Sequence, residues 1–148
     1  MLAAGGGEEG PPPPTGAVAT LARFTEPSVE CPDGSDNREL KFIVIFDVHA
    51  GDRPVLIDGI NMAMTVVSSP DLPAELGFVS TRPTIVIPTR VDAQTTSTLR
   101  AESTLLCTNG VGGPLRYNDW QAGISITDTS GAVLRVSTTG TPFRVYLP

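Results

Sequence analysis

Lysine is almost missing from this chain. Of its ten basic residues nine are Arg, Lys41 is the single Lys, and 16 acidic residues bring the net charge to −6. The basic side chains form no cluster, whereas nucleic-acid binding needs a patch that neutralises phosphates, so no nucleic-acid partner is expected. The same charge balance weakens docking to anionic lipid. No apolar run approaches the ~20 residues of a spanning helix, so no transmembrane segment is expected either. Histidine occurs once and cysteine twice, with Cys31 and Cys107 separated by 76 positions. That inventory cannot supply a standard zinc set or a C-x-x-C redox motif. No G-x-S-x-G elbow accompanies His49 and its neighbour Asp47, so His49 reads as a surface or capping residue. No pair of carboxylates stands out for acid–base work. The chain is therefore expected not to be an enzyme and to need no cofactor.

What is abundant points to strands. Val (14), Ile (8) and Thr (17) together supply 39 of the 148 residues, while Gly (15) and Pro (14) supply 29 that break segments. The apolar share is 40%, enough for one packed core and one domain. The Gly and Pro residues divide unevenly. Nine of them fall in residues 1–16, including Pro11-Pro12-Pro13-Pro14, which cannot bury enough apolar surface to offset its ordering. Residues 1–16 are thus expected to be an extended tail or tether. Its proline run favours polyproline II, an extended and relatively stiff rod that can lie along another surface at low entropic cost. Residues 17–148 are the expected β domain.

Alternation sets the strands. In Leu40 to His49, the side chains of Leu40, Phe42, Val44, Phe46 and Val48 share one face at period two, and that face belongs in a core. The opposite face has Ile43 and Ile45 flanked by Lys41, Asp47 and His49, as in a central strand with wet tips. Further strands are expected over 17–24, 55–67 with a bend at Gly59, 84–87, 91–107, 124–126 with 117–121 leading into it, 133–136 and 143–147. Ser68 to Pro83 reads mostly as loop, with room for one helical turn at Leu72 to Leu76. Thr129-Ser130-Gly131 is a hairpin turn. Seven or eight strands without an amphipathic helix describe an all-β, antiparallel two-sheet sandwich.

Three local clusters invite function. Arg116, Tyr117 and Trp120, expected to share one loop beside a Gly-rich segment, combine the residue types richest in binding hot spots, so with Pro11, Pro12, Pro13 and Pro14 they are the binding candidates. Trp120 also reads as a plug at the end of the sandwich. Asp33 and Asp36, with Asn37 and an Asp119 or Asp128 from another loop, offer oxygen ligands for calcium at a spacing that departs from the EF-hand, and Asx turns explain them equally well. Cys31 and Cys107 are either a disulfide formed in an oxidising compartment or two thiols in a reducing one; the even count in a small β domain favours the bridge.

At Leu40 to Val48, Leu99 to Cys107 and Phe143 to Leu147 the chain resembles an immunoglobulin-like sandwich, in the broad sense that includes fibronectin type III and bacterial surface modules. Antibody-type domains place a Trp between their cysteines, whereas Trp120 follows Cys107. Leu2-Ala3-Ala4 ahead of a Gly-rich, acidic stretch resembles a bacterial lipoprotein junction, although Gly5 stands where the lipidated Cys would be and no complete secretory signal precedes it. The resemblance implies an extracytoplasmic place in the periplasm, on the cell surface or secreted. The leading expectation is a non-catalytic structural or accessory subunit of a homo- or hetero-oligomeric assembly, with other protein subunits as partners. A virion structural or decoration protein is one alternative, and a secreted carbohydrate-binding module using Trp120 and Tyr117 is the other.

Overall fold

The computed structural model describes residues 11–31, 39–68, 78–81, 83–106 and 117–146. These form strands β1 (Val18–Phe24), β2 (Ser28–Glu30), β3 (Glu39–His49), β4 (Val55–Ser68), β5 (Phe78–Thr81), β6 (Thr84–Ile87), β7 (Arg90–Val91), β8 (Thr96–Leu106), β9 (Tyr117–Asp128), β10 (Val133–Ser137) and β11 (Phe143–Tyr146), with no helix among them. The smaller sheet runs β1-β3-β8-β6. The larger runs β2-β11-β9-β4-β5, with β10 added beside β9 and β7 beside β4.

The inner faces of both sheets supply one hydrophobic cluster. Phe42, Val44, Phe46 and Val48 of β3 are buried as their alternation requires, against Leu99 and Ala101 of β8. The larger sheet contributes Met62, Met64 and Val66 from β4 and Trp120, Ile124 and Ile126 from β9. Phe24, Phe42 and Phe143 join the sheets, the Phe24 and Phe143 rings stacked with centroids 4.8 Å apart.

The all-β, two-sheet class is observed, with three departures from the expected pattern. The larger sheet curls into a half-barrel rather than lying as a flat immunoglobulin-like layer. Register shifts at Ile57/Gly59 and Val66/Ser68 in β4 supply local twist of the kind that bends a sheet. Strand β2 pairs with β11 in parallel, so the sheet is not wholly antiparallel. The long strand expected over 91–107 is two. At Asp92 to Thr95 the chain crosses from β4 to β3: Thr95 N and Oγ1 both donate to Asp92 O, at 3.1 and 2.7 Å, and Gln94 takes φ 60°. The possible helical turn at 72–76 lies outside the described residues.

Residues 11–16 rest against the domain. Pro14-Thr15-Gly16-Ala17 makes a turn in which Ala17 N donates to Pro14 O at 2.8 Å and Gly16 takes φ +87°, the left-handed value a type II turn requires at that position. The turn folds the segment back onto the β3–β4 connection. Thr15 N donates to Asp52 Oδ1 at 2.9 Å, Asp52 N donates to Thr15 O at 3.0 Å, and Arg53 Nη2 donates to Pro12 O at 3.2 Å. Composition undercounts this segment because its hold is polar: the domain's own donors satisfy its carbonyls.

Candidate binding surface on the larger sheet

The register of β9 against β11 pairs Phe143 with Trp120, Arg144 with Asp119, Val145 with Asn118 and Tyr146 with Tyr117. Directly paired residues share a face, so Trp120, Asn118, Phe143 and Val145 point into the core and Tyr117, Asp119, Arg144 and Tyr146 point outward. On that outer face Arg144 donates to Asp119 through two parallel bonds, Nε to Oδ1 at 2.8 Å and Nη2 to Oδ2 at 3.1 Å. The guanidinium lies 3.8 Å from the Tyr117 ring centroid, and the Tyr117 and Tyr146 rings meet edge to face at 6.1 Å. Fork, carboxylate and ring fix one another, which is the geometry that distinguishes Arg from Lys.

Hydrogen bonds to Asp119 and then to Tyr146 raise the already high pKa of Arg144, so it stays charged at every working pH. Asp119, Arg144 and Tyr146 of the cluster form one wall of a surface groove of about 340 Å³ that Pro27, Ser28, Thr141 and Pro142 complete. Tyr146 stands at its edge, 41% exposed. A permanent cation committed to its carboxylate has no proton to exchange near neutrality. What the groove offers is an aromatic edge, proline rings and the remaining guanidinium N–H groups, all suited to contact with a partner.

Of the residues singled out by sequence, Tyr117 is in this cluster. Trp120 is not a surface residue: it is 1% exposed among Ala122, Ile124 and Phe143, because the strand's parity turns it inward. Arg116, Asp33 and Asp36 lie outside the described residues. Pro11 and Pro12 are exposed, Pro13 is half-buried and Pro14 is buried. The two loop carboxylates invoked beside Asp33 are otherwise engaged. Asp119 holds Arg144, and Asp128 Oδ1 accepts from Ser130 N, Ser130 Oγ and Ala132 N at 2.8, 2.5 and 3.0 Å, closing the β9–β10 turn. Among the described residues no three His, Cys, Asp or Glu side chains gather as a metal set. Cys31 is buried and is not a free thiol, while Cys107 lies outside the described residues. His49 and Asp47 sit on the outer face of the smaller sheet, bonded to Thr96 and Thr98 at 2.9 and 2.7 Å.

Arg144, Tyr146 and the two groove prolines were not visible as a site in the sequence. The signal was the Tyr117/Asp119 and Arg144/Tyr146 alternation, two outward polar or aromatic pairs, which becomes a cluster only once the strands are paired.

No protein-family model and no curated protein matches the chain. Among solved structures, the sporulation control protein Spo0M of Bacillus subtilis superposes with a TM-score of 0.46 at 10% identity, over 89% of this chain and 50% of that one. The chain thus spans about half the length of the Spo0M structure. The structural-genomics target SoR45 gives 0.41 at 11% identity over 89% and 86% of the two chains. The ApaA protein of Bordetella pertussis gives 0.35 at 14% over 93% and 98%. Likenesses at this level assign neither family nor function.

Proposed function

We propose that this chain is a non-catalytic accessory subunit, built on a loosely immunoglobulin-like pair of sheets, that docks on a larger extracytoplasmic assembly through its outer-face groove and its N-terminal segment. The observation that carries this reading is the Arg144 fork locked between Asp119 and Tyr117 beside the groove. Arg and Tyr held in one conformation lose little entropy on binding, which is the property of hot-spot residues. An oxidising compartment is supported by Cys31, whose only available bridging partner in this chain is Cys107.

Size-exclusion of gently prepared native extract tests the proposal. The wild-type chain should elute with a species much larger than itself. Tyr146→Ala should shift it toward the monomer position by lowering affinity about tenfold or more, while its thermal midpoint stays within a few degrees. Elution of the wild-type chain as a monomer overturns the reading.

A further inference from the structure

The seat of residues 11–16 is made to fit them. Gly51 is buried, and a Cβ built on it would lie 1.8 Å from Thr15 O and 2.5 Å from Thr15 C, so only glycine admits the segment. Asp52 then bonds Thr15 reciprocally, through its own N–H and through its carboxylate. Prolines offer acceptors and no donors, and Arg53 supplies the donor that Pro12 O needs. At the far end the Pro11 ring comes 3.5 Å from where a Cβ on Gly131 would sit, so the strap runs from the β3–β4 connection to the β9–β10 turn. The strap is a preformed, stiff ligand resting on a complementary surface of the same chain.

The hydrogen bonds of the seat lie on the N-terminal side of one hinge, Gly16 at φ +87°, while a Cβ on Gly51 would also come 2.8 Å from Ala17 N just beyond it. Opening it costs a single turn bond, Ala17 N to Pro14 O. The hinge leads into β1, which among the described residues pairs with β3 alone and so lies at the edge of the smaller sheet, where another molecule has access. We propose that the seat formed by Gly51, Asp52 and Arg53 accepts the Pro11–Gly16 strap of a second copy in place of its own, linking copies by strap exchange. Every seat bond is reproduced in the exchanged form, and only the hinge changes. Short tethering keeps the cis strap at a high effective concentration, so exchange needs copies held close together, as they are in an assembly. The inference rests on the N-terminal half of the proposed function and names its partner as this same chain.

Two full-length variants with different affinity tags test it. Gly51→Ala closes the seat and leaves the strap intact. The other variant keeps the seat and spoils the strap, with Thr15→Pro removing the N–H given to Asp52 and each of Pro11, Pro12, Pro13 and Pro14 changed to Gly. Emission of the buried Trp120 reports that each is folded. Native mass spectrometry of the purified proteins should show a one-to-one heterodimer in the mixture at about tenfold or more the dimer level of either variant alone. A mixture that stays monomeric overturns strap exchange, and so does an equal dimer in the single variants, which would place the contact elsewhere. Because the readout uses purified protein and leaves the Arg144 groove untouched, its failure is distinguishable from that of the extract experiment.

Discussion

Removing either partner of the Arg144–Asp119 pair should have unequal consequences. The two bonds are 2.8 and 3.1 Å long, but the side chains sit at different depths, Asp119 at 11% exposure and Arg144 at 37%. Taking away the arginine removes two charge-assisted bonds from a carboxylate in a place that water barely reaches. Breaking a buried pair costs about 3–5 kcal/mol and an exposed pair contributes about 0.2–1 kcal/mol, so at this intermediate depth Arg144→Met should cost about 2–3 kcal/mol. Met keeps the apolar stem over the Tyr117 ring, which confines the loss to charge and fork. Asp119→Asn leaves a cation that still reaches solvent and still stacks on Tyr117, and should cost about 1–1.5 kcal/mol. Urea denaturation of the two single variants and the double variant closes a thermodynamic cycle, with an expected coupling of about 1–2 kcal/mol. A coupling below about 0.3 kcal/mol, or Asp119→Asn the more damaging change, refutes the account of the cluster as a pair anchored by its buried carboxylate.

Asn118 is 0% exposed, and neither its Nδ2 nor its Oδ1 finds a hydrogen-bond partner among the described residues. An unpaired buried amide costs about 1–3 kcal/mol, so Asn118→Leu, close in volume, should raise the thermal midpoint by about 3–8 °C; a fall would mean that solvent satisfies the amide in solution. Asp128→Ala removes the acceptor of three hydrogen bonds in the β9–β10 turn and should cost about 1–3 kcal/mol in urea, read as a shift of the midpoint at constant slope. If Cys31 and Cys107 are bridged, alkylation of the unfolded, non-reduced chain should add no mass. Reduction should then lower stability by about 4 kcal/mol, less any strain in the bridge. Two alkylated thiols without reductant would remove the support for an oxidising compartment.

Strand β3 was legible because its signal is local. Phe42, Val44, Phe46 and Val48 need only period two to find the core, and no other part of the chain alters that arithmetic. The break between β7 and β8 was not legible for the same reason. Apolar parity continues through Ala93 and Ser97, while the corner is made by Gln94 in the left-handed region and by its N–H bond to Gly51 O at 3.0 Å, a partner 43 positions earlier. The site was half legible. Tyr117 stood in a cluster of interface-type residues, but Arg144 and Tyr146 join it only through the 143↔120 register. Trp120 shares parity with Ala122, Ile124 and Ile126, so a single unbroken strand from Tyr117 to Asp128 turns it inward on alternation alone.

The strap shows where composition misleads. Hydrophobicity counts measure what a segment can bury, and by that measure residues 11–16 have little to hold them. Order also follows when polar groups find partners placed in advance, and a proline segment asks for few because it carries no N–H groups to satisfy. The informative residue was therefore not in the strap but at Gly51, where the sequence suggests only a turn. A glycine there serves the approach of another backbone, and the same vacancy of a side chain that lets the strap sit in cis sets no condition on which copy it comes from.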